Sequence, residues 1–367
     1  MRTASAFAPG RVELLGNHTD YNEGVVLAAA IDRRITITGT GRSDEVIRLT
    51  SDLSADAAVE VSLADVRPQD EQRWANYPLG VVQQFQLRGD TIRGFEAHIV
   101  GDVPAGAGLS SSAALEVATA GLLMQLNDFH VVPLEVAKLC QRAENTFVGV
   151  QSGLLDQVTS VFGKADQLVY LDCRTEEIKT IPFPAGFALV IAETGVKHSL
   201  IAGEYNARRE QCTAAAKALG VTALRDVTPE KLEAARGSLH PLLFRRAAHI
   251  VGEDDRVWRA VAALQEGDIA AVGELMNASH ESSRVNFENS TAELDLLVAT
   301  AQSLPGVLGS RLTGGGFGGG TVTLVGLDAA PAVVDALRSG YHAKTGHSPA
   351  VFICRIADGA AAGWMKK

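Results

Sequence analysis

A two-residue alternation of apolar and polar positions, typical of β-strands, dominates the first third of the chain. The stretches ITITG (35–39), VIRLT (46–50) and FEAHIVGDV (95–103) alternate between apolar and polar residues or are rich in β-branched ones, which predicts strands. Residues 74–87 become helical in composition toward their C-terminal end. The small-residue segment PAGAG (104–108) follows the third strand and predicts a loop, because glycine and proline interrupt regular structure.

Two helices are predicted after this loop. The segment SSSAALEVATAGLLMQL (110–126) has helical composition, and the serines at its start are predicted to act as N-caps. The segment PLEVAKLCQRAENTFVG (133–149) predicts a second helix with Pro133 in its first turn, where a missing backbone N–H is tolerated.

Strands and helices are clustered in the second half instead of alternating strictly. The pattern predicts strands at 167–173, 187–194 and 350–356, a long helical region from about 201 to 303, a glycine loop leading into a strand at 312–325, and a helix at 330–345. Such clustering favours an α+β fold. We place two domains at residues 1–175 and 176–367, and because no low-complexity linker separates them we expect a shared cleft.

Charge and cysteine content narrow the class of protein. A length of 367 residues suggests two domains, and a net charge of −10 with scattered basic residues argues against a nucleic-acid partner. The four cysteines form no CxxC pair, so buried thiols in a reducing compartment are favoured over zinc ligands or disulfides. Without a signal-peptide core or an apolar run of ~18 residues, we expect a cytoplasmic protein that has no membrane partner.

The first segment that could carry chemistry is PGRVELLGNHTDYNEG (9–24). Polar side chains are crowded there between apolar residues, at the point where a strand passes into a loop. Because every hydroxyl of a sugar requires a donor or an acceptor, this density suits a polyhydroxylated ligand. A polar turn that only reverses the chain is the alternative.

The second segment, DVPAGAGLSSSAALEVA (102–118), predicts a phosphate site. Glycines allow the backbone to approach a phosphate closely, and the free N–H groups at a helix start favour negative charge. A serine hydroxyl can also ligate Mg²⁺, which prefers oxygen. A capped helix after a flexible loop is the alternative interpretation.

The third segment, LTGGGFGGGTVTLV (312–325), matches GxGxxG but leads into a strand, so we reject a dinucleotide-binding motif. A glycine loop that closes on a substrate or on the phosphate loop is favoured over a tight turn between strands. Neither GxxxxGK[ST] nor the protein-kinase motifs occur, so phosphate would have to be held by the Gly-Ser segment.

In this order and spacing, the three segments resemble the galactose–homoserine–mevalonate–phosphomevalonate kinase superfamily, and within it the galactokinases. Further galactokinase-like strings extend the resemblance over nearly the whole chain: WANYPLGVV (74–82), AENTFVGVQSGLLDQ (143–157), VKHSLIAGEYNARREQC (196–212), STAELDLLV (290–298) and SRLTGGGFGGGTV (310–322). The resemblance implies an N-terminal domain like ribosomal protein S5 domain 2, a C-terminal ferredoxin-like domain with helical insertions, and an active site in the cleft between them. It also implies a sugar and ATP as substrates, Mg²⁺, and a monomer or weak homodimer.

The resemblance assigns a role to each matching residue. Asp156 would be the acid–base residue at the anomeric hydroxyl, and Arg11 would stabilise charge beside it. The remaining roles divide by ligand: Asn17, His18, Thr19, Asp20, Gly153 and Tyr205 for the sugar, Gly106, Ala107, Gly108, Leu109, Ser110, Ser111 and Ser112 for the triphosphate, Trp74 and Tyr77 for adenine, and Ser112 with Glu144 for Mg²⁺.

Two positions depart from the family signature, which usually reads GRVNLIGEHTDYN. Here Glu13 replaces the usual asparagine, and Asn17 replaces a glutamate that accepts hydrogen bonds from sugar hydroxyls, notably at C6. We therefore favour a galactose 1-kinase and keep a kinase for N-acetylgalactosamine or another hexose as the second hypothesis. A non-catalytic galactose sensor is the third, and the intact GLSSSA segment together with Asp156 disfavours it.

Overall fold

The computed structural model describes residues 2–54, 58–104, 106–196 and 201–364, without the side chains of 201, 202, 362 and 363. Two parts of the predicted segments lie outside the described residues. These are Ala105 of the loop 104–108 and residues 197–200 of the string 196–212.

Within the described ranges, the first half forms a seven-stranded sheet against which four helices pack. Its strands are β1 (Thr3–Leu15), β2 (Val25–Gly41), β3 (Val46–Ser51), β4 (Val59–Ser62), β5 (Phe95–Gly101), β6 (Gln167–Asp172) and β7 (Glu177–Pro182), and its helices are α1 (Asn76–Leu87), α2 (Ser111–Asn127), α3 (Pro133–Ala143) and α4 (Leu155–Phe162). The strands run in the order β4-β3-β5-β2-β6-β7, and β1 pairs with β2. All pairs are antiparallel except β3 with β5.

Strand β2 organises this sheet because it is long enough to have three neighbours. It pairs with β1 along one edge, while its residues 35–41 pair with β5 and its residues 25–28 pair with β6 along the other. Helices α2 and α4 pack on β1 and β2. This arrangement brings the start of α2 and the start of α4 close to the C-terminal end of β1, where the site lies.

The second half combines a four-stranded antiparallel sheet with a helical region. Its elements are β8 (Phe187–Glu193), α5 (Ile201–Ala218), α6 (Pro229–Ala234), α7 (Pro241–Glu266), α8 (Ile269–Ser282), α9 (Ala292–Gln302), β9 (Val307–Thr313), β10 (Gly320–Gly326), α10 (Ala330–Thr345), β11 (Val351–Cys354) and α11 (Ala361–Trp364). The strand order is β11-β8-β10-β9. The predicted α+β fold and the predicted helix at 330–345 are confirmed. No described helix combines the length and the apolar character needed to cross a bilayer.

The two halves share one hydrophobic core. It includes Val12 and Leu14 of β1 together with Ile191 of β8, Leu324 of β10 and residues of α7 and α8. Strand β7 pairs with β6 and completes the first sheet, so the predicted boundary after residue 175 falls inside the β6–β7 hairpin. The exact boundary stays a prediction, since a continuous core leaves no linker to mark it.

Candidate active site

An ion pair between Arg11 and Asp156 forms the centre of the site. The alternation of β1 buries Val12 and Leu14 in the core and directs Arg11 to the cavity between the two halves. Asp156 lies in the first turn of α4, where its Oδ1 accepts from Arg11 Nε at 2.7 Å and lies 2.6 Å from Nη2. The third nitrogen, Nη1, donates to the carbonyl of Gly108 at 2.6 Å. The structure therefore brings the acid, the guanidinium and the glycine loop together.

Ser110 differs from its prediction as a helix cap. It occupies the N-cap position of α2 with a left-handed φ of 52°, and its hydroxyl makes no capping hydrogen bond. The hydroxyl donates instead to Asp156 Oδ2. The capping prediction is wrong for Ser110, because the left-handed backbone turns the side chain away from the helix amides and toward the acid.

Two glycine loops touch through their backbones above this ion pair. Gly108 has a φ of 73°, and a Cβ on it would lie 2.6 Å from the carbonyl oxygen of Thr313, the last residue of β9. Gly314 has a φ of 73° as well, and its Cβ would lie 2.9 Å from the Gly108 oxygen. Only glycine fits this approach. The prediction that the segment 312–325 closes on the phosphate loop is confirmed.

His18 connects the segment 9–24 to the glycine loop that follows β9. Its Nε2 lies 2.9 Å from the Gly315 carbonyl, which can only accept, so Nε2 carries the proton. Its Nδ1, 2.8 Å from the Tyr21 hydroxyl, is then the acceptor. Burial lowers the pKa of His18 to about 4, which keeps this neutral form. Because both nitrogens are used within the protein, the contacts favour a positioning role.

Asp20 faces Asp156 across the cavity. Its Oδ1 accepts from the Tyr21 backbone N–H at 2.9 Å, and its other oxygen lies against Gly153, where a Cβ would be 2.1 Å away. Burial and the nearby charges of Asp156 and Glu13 raise the pKa of Asp20 to about 7. The only side chain that position 153 tolerates without displacing this carboxylate is hydrogen.

The remaining predicted residues divide by whether they line the cavity of about 350 Å³. The described residues that line it include Arg11, Asn17, His18, Asp20, Tyr77, Gly106, Gly108, Leu109, Ser110, Ser111, Ser112, Glu144, Asp156 and Tyr205. Four others are not among the lining residues: Thr19, Trp74, Ala107 and Gly153. Thr19 directs its buried hydroxyl to the backbone carbonyls of Gly16 and Val25 at 2.8 and 2.7 Å, so it shapes the loop.

Two acids in one turn of α7 accept hydrogen bonds from the backbone of the segment 9–25, and the sequence patterns did not reveal them. Glu253 Oε2 accepts from the backbone N–H groups of Gly16 and Asn17 at 3.1 and 2.9 Å. Asp254 Oδ1 accepts from the N–H of Val25 at 2.9 Å. The available signal was the run of three adjacent acids in HIVGEDDRV (249–257), the first two of which are buried.

Ser112 and Glu144 offer the oxygen donors that Mg²⁺ prefers. Both line the cavity, and burial raises the pKa of Glu144, with a further contribution from the charge of Asp156. Glu144 Oε2 accepts from Ser152 Oγ at 2.5 Å and from Gln157 Nε2 at 3.0 Å, which orients the carboxylate. The described residues contain no cluster of three His, Cys, Asp or Glu, so a metal here would rely on serine and on the ligands of its substrate.

Tyr77 lies in the first turn of α1, and Trp74 lies in the short 3₁₀ helix, Arg73–Ala75, just before it. Tyr77 lines the cavity, whereas Trp74 packs half-buried against the core. The buried Nε1–H of Trp74 has no acceptor among the described residues. The predicted contact of Trp74 and Tyr77 with adenine stays a prediction.

Comparison with known proteins decides the family. The model of the galactokinase galactose-binding signature matches residues 2–40, and the N- and C-terminal domain models of the GHMP kinases match residues 76–164 and 260–343. A galactokinase from Roseiflexus sp. (strain RS-1) is 44% identical over 96% of this chain and 91% of its own length. The chain belongs to the galactokinase family.

Solved structures agree with this assignment. Galactokinase of Lactococcus lactis, crystallised with galactose, is 34% identical and superposes with a TM-score of 0.94 over 98% of this chain and 94% of its own. Mevalonate kinase of Methanococcus jannaschii shares the fold at 17% identity, with a TM-score of 0.70 over 97% and 99% of the two chains. As a member of the galactokinase family, the protein is a sugar kinase with the two-domain fold of GHMP kinases.

Proposed function

We propose that this galactokinase-family protein transfers the γ-phosphoryl group of ATP to the anomeric hydroxyl of D-galactose. The observation that carries the proposal is the contact of Arg11 and Ser110 with the two oxygens of Asp156, directly below the glycine loop. This arrangement places one proton acceptor and one fixed positive charge at the point where a sugar and a triphosphate would meet.

Asp156 is the group suited to the sugar hydroxyl. A hydroxyl is a weak nucleophile, and a carboxylate that accepts its proton as the new O–P bond forms lowers the barrier. Arg11 donates to Oδ1 and Ser110 donates to Oδ2, so the carboxylate cannot rotate away from the cavity. Fixed geometry matters because phosphoryl transfer is accelerated chiefly by positioning and charge stabilisation.

Arg11 and the glycine loop are suited to the phosphate. The guanidinium bridges Asp156 and the Gly108 carbonyl, so its charge lies between the proposed acceptor hydroxyl and the loop. The start of α2 presents backbone N–H groups that favour an anion. Mg²⁺, held by Ser112 and Glu144, would neutralise charge on the phosphate oxygens.

Product analysis tests the proposed reaction. With ATP and Mg²⁺, we expect the protein to convert galactose to galactose 1-phosphate and to turn over N-acetylgalactosamine, glucose and mannose more slowly. NMR of the product, through proton–phosphorus coupling, identifies the phosphorylated carbon. A clear preference for another hexose, or phosphate on a carbon other than C1, would contradict the proposal.

Asp20 should make sugar binding depend on pH. Its pKa of about 7 means that the carboxylate, the stronger acceptor for sugar hydroxyls, predominates above pH 7 and is protonated below it. We therefore expect kcat/KM for galactose to fall by up to about tenfold per pH unit below pH 7.

The variant Asp20→Asn identifies the source of this inflection. Asp254 has a pKa raised to about 7 by burial, but it bonds the backbone of Val25 and does not line the cavity. Asp20→Asn should therefore have a lower kcat/KM above pH 7 and no inflection near it. Persistence of the inflection in Asp20→Asn would refute the assignment to Asp20.

A further inference from the structure

A fourth carboxylate on the cavity wall, Glu13, has no role in the chemistry above. Glu13 follows Arg11 by two residues on β1, so both side chains point to the same face of the strand and both line the cavity. The Glu13 side chain is 4% exposed and forms an ion pair at 2.9 Å with Arg311, which is fully buried. A buried acid needs several donors to offset its lost hydration.

The donors to Glu13 all converge on one of its oxygens. Oε1 accepts from Arg311 Nη1 at 2.9 Å and from Asn17 Nδ2 at 3.1 Å. Among the described residues, none donates a hydrogen bond to Oε2. Burial raises the pKa of Glu13 although Arg311 and Arg11 oppose the shift, as expected of a carboxylate short of donors.

Asn17 cannot replace Glu13 as the main acceptor for a ligand. Its Nδ2 donates to Glu13 and, at 2.8 Å, to the Gly314 carbonyl. Its Oδ1 already accepts from Asn289 Nδ2 at 2.9 Å. The side chain is 1% exposed and has one lone pair left, so it acts mainly as a brace between Glu13 and the second glycine loop.

We propose that Glu13 is a substrate-binding residue that selects the sugar, through a hydrogen bond from a sugar hydroxyl to its Oε2. Two residues of a strand span about 7 Å, so Glu13 lies that far along β1 from Arg11, whose guanidinium contacts Asp156. This distance matches a hydroxyl on the side of a hexose remote from C1, at C4 or C6. The inference rests on the proposed function, because it takes Asp156 to mark the position of C1.

Deoxy sugars combined with Glu13→Gln test the hydrogen bond. Glutamine keeps the size of the side chain and removes its charge, so we expect the Kd for galactose to rise by about 10- to 100-fold, as for loss of a charged hydrogen bond. The wild type should discriminate against either 4-deoxygalactose or 6-deoxygalactose by a similar factor, and Glu13→Gln should reduce that discrimination severalfold. Discrimination against 2-deoxygalactose should be the same in both proteins.

Exchanging the two residues provides a second test that does not depend on one variant folding well. In Glu13→Asn/Asn17→Glu the cavity keeps one carboxylate and one amide in mutual contact. Asn17→Glu alone places two buried acids beside each other and should bind galactose more weakly than the double variant does. If the two substitutions had additive effects on the galactose Kd, the role given to Asn17 as a brace for Glu13 would be wrong.

Controls separate this inference from the proposed reaction and from stability. Glu96→Gln makes the same change on an exposed face of β5 and should leave the Kd for galactose unaltered. Binding is measured by calorimetry without ATP, and thermal unfolding is recorded for every variant. A wild type that makes galactose 1-phosphate, with a Glu13→Gln variant of unchanged Kd and unchanged deoxy-sugar discrimination, would refute the role of Glu13 alone. No turnover by the wild type would refute the proposed reaction.

Discussion

Asp156→Asn should lower kcat for galactose phosphorylation by about 10²- to 10⁴-fold, the range typical of losing a general base. Asparagine has the same shape, and its oxygen can still accept from Arg11. The amide nitrogen that replaces Oδ2 cannot accept from Ser110, and the side chain cannot take up a proton. The Kd for galactose should change much less than kcat, because the hydroxyl that Asp156 contacts is only one of several on the sugar. Initial rates and calorimetric binding measure the two quantities separately.

The control for this variant is Asp335→Asn, which makes the same change on α10, where the side chain is 81% exposed. Its kcat should equal that of the wild type. Replacing a proton acceptor by an amide should cost more than about threefold in kcat. If Asp156→Asn retained kcat within that range of the wild type, Asp156 would not be the catalytic residue.

Arg11→Lys should lower kcat by about 10²- to 10³-fold, comparable to removing one fixed electrostatic donor from an active site. Lysine keeps the positive charge, but a single ammonium cannot reproduce the fork of Nε, Nη1 and Nη2 that bridges Asp156 and the Gly108 carbonyl. The loss of the Gly108 contact should also raise the KM for ATP, because that contact helps to fix the phosphate loop.

Arg48→Lys is the matched control, since Arg48 forms an exposed ion pair with Glu60 between β3 and β4. Exposed pairs contribute little, so its kinetics and unfolding temperature should be close to those of the wild type. Equal kcat for Arg11→Lys and wild type would mean that charge alone, without the bridging geometry, is sufficient at position 11.

Hydrophobic period and turn residues predicted most of the individual elements. The strands at 35–39, 46–50 and 95–103 and the helix after Pro133 all appear, because each follows a local rule of alternation or helix initiation. The predicted helix 133–149 ends as a regular helix at Ala143 and continues as a π-helical turn, Glu144–Val148. That change of period cannot be read from composition.

Among the strands that the sequence patterns did not delimit, β1 and β7 were missed for opposite reasons. Residues 8–15 of β1 are all buried, because α2 covers one face of the strand and the second half of the chain meets the other, so exposure to solvent does not alternate along it. Strand β7 is an edge strand whose residues are mostly exposed, so it carries little hydrophobic signal.

The sequence by itself determined the family, the α+β class and the segments that form the site, because a signature loop and two glycine loops are recorded in contiguous residues. It could not determine which atoms meet. The hydroxyl of Ser110 on Asp156, the grip of Glu253 on Gly16 and Asn17, and the contact of Glu13 with Arg311 join residues 46, 237 and 298 positions apart. Such contacts depend on the packing of α4, α7 and β9 around β1, which only the tertiary structure sets. A hydrogen bond requires the distance between its two atoms to be right within a few tenths of an ångström, and no local sequence pattern encodes such a distance.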